Sequence, residues 1–249
     1  MSLLENPATF SFLIAPVVDR TAISLHSTVD KAKLQALRGD NRFHPGALAL
    51  FAGPLASGGM SQFEYNELTR YEHFGSSADF LTGLAERGAV EVTDGQIRTT
   101  AAAIEVARNV VILQSEAVTS LFEPRQSLVP DICAIILKAR LAAIADFISP
   151  LSQLMGRAWL PDDASDAARI WDASVVLRMH RADSHAIAWK EAGLTAPEVR
   201  VLPPGDARDA IERRTNELAA TPWAALSPDE RITLLSGLAA LPGTGVPVA

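Results

Sequence analysis

Apolar positions recur along most of this chain at helical rather than strand spacing. The stretch from Trp171 to Leu194, WDASVVLRMHRADSHAIAWKEAGL, is the longest such segment and organises the rest. At about 100° per residue, Val176, Leu177, Ile187 and Ala188 share one face, widened by Val175, Met179 and Ala186. Ser174, Arg178, Arg181, His185 and Trp189 fall opposite. His180, Asp183 and Ser184 land inside the apolar face, where an imidazole and a carboxylate must find partners to be buried at all.

In chain order, residues 1 to 27 read as an irregular lead-in with a buried stretch around Phe12 to Val18. Short helices are predicted over Thr28 to Leu37, stopped by Gly39, and over Pro45 to Ala52, with Gly53-Pro54 and Gly58-Gly59 as breaks. Ser61 and Glu64 form a capping box that starts a helix running to about Tyr71. Another helix covers Ala78 to Arg87, with Phe80, Leu81 and Leu84 inward and Gly88 as its stop.

The period then changes. Ala89 to Val92 and Gln96 to Thr99 are strands joined across Thr93-Asp94-Gly95, and Asp-Gly is a strong hairpin signal. A long helix from Thr100 to about Phe122 follows. Glu123 to Pro130, with two prolines, is the expected boundary between residues 1–124 and 125–249. Beyond it helices are predicted over Asp131 to Ile148, Pro150 to Ala158, Ser165 to Ala192, a turn capped by Thr195 with Glu198, Asp206 to Ala220, and Pro228 to Leu241. The fold class is therefore mostly α: three helices and a small β-hairpin in the first half, then an all-helical second half that carries the His-Arg-Ala-Asp-Ser-His helix.

Three helices, a hairpin wing and a long helix are the order of a winged helix. The segment LTGLAERGAVEVTDGQIRTTAAAIEVARN resembles the recognition helix, wing and following helix of MarR-family regulators, over roughly residues 45 to 122. Further on, HRADSHAIAWKEAGL and TNELAATPW resemble an actinobacterial group of helix-turn-helix proteins of unassigned function with a His-Arg-x-Asp-x-His signature. That resemblance implies His180, Arg181, Asp183 and His185 as signature positions. The MarR likeness implies a dimeric, ligand-responsive, DNA-binding regulator.

Charge weighs against the DNA part. Between Ser61 and Arg98, three arginines (70, 87 and 98) face seven carboxylates, a balance of minus four, and the whole chain stands at −7. Phosphate neutralisation supplies most non-specific affinity for DNA, so a reading surface of this sign repels the backbone. The single cysteine, Cys133, lies in an apolar run and reads as packing; together with the lack of a signal-peptide pattern it places the expected chain in the cytoplasm. Ile132 to Ile148 is nearly apolar all round but holds Lys138, Arg140 and Asp146 and is short for a membrane span, so it reads as a core or homodimer helix.

No Gly-rich phosphate loop, nucleophile elbow, CxxC or HExxH pair is present, and His185 lies about 140° round the helix from His180, so no metal or cofactor is expected. Two readings of the polar trio stand. In one, His180 and Asp183 are an i, i+3 pair that satisfies itself in the core, with Ser184 bonding a carbonyl one turn back. In the other they are the acid–base floor of a pocket for a small organic molecule, with Arg181, His185, Ser184 and Trp189 as further ligand contacts.

Overall fold

The computed structural model of the protein describes residues 4–23, 31–38, 52–70 and 77–243. It is mostly helical, with one small antiparallel sheet.

The lead-in is not irregular: Pro7–Ile23 is a helix, α1. Pro7 occupies the first helical position, where its missing N–H costs nothing, and the Asn6 side chain accepts from the Ala8 amide at 2.9 Å. Phe10, Ile14, Val18 and Ala22 are buried at a spacing of four, while Phe12 points outward. Pro16 inside the helix disguises that period in the sequence. Lys31–Arg38 forms α2. The helix expected over Pro45 to Ala52 lies outside the described residues except for Ala52, and residues 52–56 are helical through Gly53-Pro54, where a break was expected.

Gly59–Ser61 is a strand, β1, which the sequence pattern did not suggest. Gly59 sits at φ +121°, and a Cβ there would lie 2.0 Å from the Ile97 carbonyl oxygen, so only glycine lets β1 approach its neighbour. The Ser61–Glu64 capping box then opens α3, Gln62–Leu68. Ser77–Glu86 is α4, with Leu81 and Leu84 buried. Val90–Thr93 (β2) and Gln96–Thr99 (β3) turn through Asp94 (φ 52°) and Gly95 (φ 72°), the positive-φ pair of a type I′ hairpin. The strand order is β1-β3-β2, with Ile97 opposite Met60 on one side and Val92 on the other.

Ala101–Phe122 (α5) runs through a 3-10 segment, Glu123–Leu128, into Val129–Ala145 (α6). Pro150–Gly156 (α7) and Asp166–Glu191 (α8) follow, then Ala196–Val201 (α9), Asp206–Leu218 (α10), Thr221–Ala224 (α11) and Pro228–Ala240 (α12). The cap boxes at Thr195–Glu198 and Ser227–Glu230 form as the sequence suggests.

Helix α8 is the hub, packing on α1, α5, α6, α7 and α10. It is therefore sealed on nearly every side: Ser174 and Trp189, placed on a polar face by the wheel, are buried, while Ile187 is only half-buried. One buried cluster gathers residues from both sides of the 3-10 segment, from Phe10 and Ala103 to Ile136, Ile170 and Leu238. A second, smaller cluster closes the end of α8 with Ala186, Ala188, Trp189 and Ile211. Among the described residues no helix is long and apolar enough to cross a membrane.

Candidate functional site

His180 and Asp183 are both buried, yet they do not bond each other; each is satisfied by a different element. Asp183 Oδ1 accepts from Arg70 Nη2 at 2.7 Å. Its Oδ2 takes the Ser149 hydroxyl and the Leu151 amide, both at 2.8 Å. The carboxylate thus ties α8 to the end of α3 and to the N-terminal turn of α7, and this replaces the i, i+3 pair expected from spacing. Arg70 also contacts Glu67, whose other oxygen lies 3.9 Å from Lys190. The Ser184 hydroxyl donates to the His180 carbonyl at 2.9 Å, one turn back as expected.

The partner of His180 is Asp146, which follows the last residue of α6. Nε2 lies 3.0 Å from Asp146 Oδ2. Asp146 also accepts from the Thr221 hydroxyl at the start of α11 and from the Ile148 amide at 3.3 Å. Burial works to raise this carboxyl's pKa, but the bonds from His180, Thr221 and Ile148 outweigh it and hold it below the usual value. For His180, burial dominates and lowers its pKa, against the pull of Asp146 and Asp183. Both shifts favour a neutral ring beside an ionised carboxylate. The proton then sits on Nε2, donated to Asp146, and Nδ1 keeps its lone pair. Nδ1 has no hydrogen-bond partner among the described residues.

A cavity of about 230 Å³ reaches this ring. Its walls come from α1, α8 and the α10–α11 corner, and include Ser11, Pro16, Leu177, Pro222 and Trp223 beside His180. Trp223 is fixed by an edge-to-face contact with Phe10 at 5.5 Å. Ser11 is 2% exposed and its hydroxyl has no partner among the described residues, which is unusual because a helical serine ordinarily bonds the carbonyl one turn back. Asp146 and Ser11 are the site residues that spacing did not single out. Asp146 was visible only as a charge at the end of an apolar run, and Ser11 only as a hydroxyl inside another.

Arg178, Arg181 and Asp19 border the cavity and separate it from an open groove of about 380 Å³ that also holds Arg70, His185 and Glu212. The cations are matched there: Arg178 with Asp19, Arg181 with Glu212 at 3.0 Å and with Asn216 at 2.7 Å. His185 Nδ1 lies 3.1 Å from the Thr215 hydroxyl, which already donates to the Ile211 carbonyl, so Nδ1 carries the proton. Arg181 and His185 therefore share the groove, whereas Ser184 and Trp189 are taken up in packing. Of the other tryptophans, Trp159 and Trp171 line a smaller cavity of about 80 Å³.

No three His, Cys, Asp or Glu side chains among the described residues converge as a metal set. Cys133 is buried, and burial with the nearby Asp166 charge pushes its thiol up to about 11, in keeping with packing rather than attack on a substrate. Compared with known proteins, the chain matches no family model, no curated protein and no solved structure.

Proposed function

We propose that the protein binds a small organic molecule in the cavity beside α8, with His180, oriented by Asp146, as its main polar contact. The observation that carries this reading is the Ser11 hydroxyl, buried and without a partner among the described residues, on the wall of the same apolar cavity as His180, whose ring bond to Asp146 uses Nε2 alone. Unused bonding capacity is costly to bury and is recovered when a guest supplies the missing bonds. Asp146 offsets part of the effect of burial that lowers the His180 pKa and fixes the tautomer of the ring, so the ring can accept a hydrogen bond or a proton from a bound molecule, and acid–base chemistry lies within its reach. The roles first assigned to Asp183 pass to Asp146, and Asp183 becomes a structural tie.

Amide NMR spectra recorded against a panel of single-ring compounds, neutral and charged, test the reading. Signals of Ser11, Leu177 and Trp223 should move, and Ala219→Phe, which fills the cavity from its wall, should abolish the response in a folded protein. Shifts confined to other surfaces would remove the proposal.

A ligand-responsive, dimeric MarR-like regulator is the second reading. It is favoured by the succession of helix 52–56, β1, α3, α4 and the β2–β3 hairpin, with β1 added to the outer side of β3, which follows the winged-helix order. Sedimentation at twice 26.6 kDa together with tight, salt-sensitive binding to duplex DNA is the pair of results that would move this reading ahead.

A further inference from the structure

We infer that the cavity beside α8 selects a neutral, flat, single-ring or fused-bicyclic molecule that carries a hydroxyl or ring N–H, a phenol- or indole-like compound, bound with that donor on His180 Nδ1 and within reach of the Ser11 hydroxyl. The inference rests on the small-molecule reading above and specifies its ligand.

Size comes first. An engineered apolar cavity of about 150 Å³ holds benzene, so about 230 Å³ admits one ring with a substituent or two fused rings. Shape follows from the walls, where Trp223 and the rings of Pro16 and Pro222 offer flat apolar faces. Charge is set from two sides. Arg178 and Arg181 at the rim disfavour a cation, yet they are engaged by Asp19, Glu212 and Asn216 and so hold no ready anion contact. Asp146, 3.0 Å behind the ring, disfavours a negative charge in front of it. The polar requirement follows from the tautomer: Asp146 can only accept, which places the imidazole proton on Nε2 and turns Nδ1 into an acceptor. The guest must therefore donate. Ser11 can give its own proton to the oxygen of a hydroxyl guest, completing the arrangement Asp146, His180, guest, Ser11, whereas a ring N–H only donates and satisfies His180 alone. A site built to bond a hydroxyl rejects the analogue that lacks it, because its own buried groups are then left unpaired.

Calorimetry with phenol, indole, toluene, benzoate and benzylamine tests this, with ring ¹⁵N spectra of His180 as an independent readout. Phenol and indole should bind at least about tenfold more tightly than toluene, and the bare Nδ1 signal should shift toward the hydrogen-bonded position when phenol is added. Ser11→Ala, a small change within a helix, should weaken phenol several-fold and leave toluene unchanged, and His180→Phe should erase the preference. Toluene binding as tightly as phenol, preference for benzoate or benzylamine, or an Nδ1 already protonated in the free protein would each overturn the inference while leaving the cavity a ligand site. If none of the five compounds binds and none shifts the cavity signals, the small-molecule reading itself falls with it.

Discussion

His180 illustrates how a buried titratable group makes stability depend on pH. Its folded pKa lies below the ordinary 6.5, mainly through burial, and that of His185 is lowered as well, by burial first and then by Arg181, Arg208 and Arg70. The unfolded chain therefore binds protons on these rings before the folded chain does. Stability is full above 6.5 and declines as pH falls below that value toward the folded pKa values. Asp146 acts lower on the scale: its pKa is depressed from 3.8, so its contribution is present above 3.8 and is lost as pH drops through the folded value. Urea unfolding across a pH series should show ΔG falling between about pH 7 and pH 5. His180→Gln keeps a donor for Asp146 but does not titrate, and should flatten that slope while leaving the share of His185. An unchanged slope would mean that the ring is already charged in the folded protein.

Elements are held to α8 by side chains that sequence spacing could not pair. Caps and turns were legible because their partners are three or four residues apart: Ser61 with Glu64, Ser227 with Glu230, the Asp94-Gly95 turn. The polar trio on α8 was legible as an anomaly, since burial without partners is costly wherever the helix packs. Its partners were not, because Asp146 lies 34 residues from His180 and Arg70 lies 113 residues from Asp183. Only the packing of α3, α6 and α7 around α8 brings them in. The polar face expected opposite the apolar one fails at Ser174 and Trp189 for the same reason, because the hub is covered on nearly every side. Asp183→Asn should then act on the element junction: it leaves the Arg70 guanidinium buried without its full counter-charge and weakens the bonds to Ser149 and Leu151. A loss of about 2–4 kcal/mol is expected in chemical unfolding, with phenol affinity of the folded fraction unchanged. A stable variant that has lost affinity would return Asp183 to the binding site.

At the scale of the molecule, the question is whether the sheet and the helices before it can hold nucleic acid. Structure sharpens the charge argument made from sequence. Of the three arginines between Ser61 and Arg98, Arg70 is turned inward, its side chain 9% exposed and engaged by Asp183 and Glu67. Arg98 is exposed but stands directly opposite Glu91 across the β2–β3 pair, so its charge is offset at close range. That leaves Arg87, just past α4, as an exposed arginine in a stretch whose Asp79, Glu86 and Asp94 are exposed as well. Each phosphate contact normally releases counterions and contributes to affinity, and a face with so few uncompensated cations has little to release. Duplex DNA carrying the protein's own promoter, titrated by fluorescence anisotropy near physiological salt, should therefore show no sub-micromolar binding, and any residual signal should have a shallow salt dependence. A steep loss of affinity between about 50 mM and 200 mM salt would show several phosphate contacts. In that case the contacts must come from elsewhere on the surface, the sheet would be a wing in function as well as in order, and the cavity beside α8 would become the sensor of a DNA-binding protein.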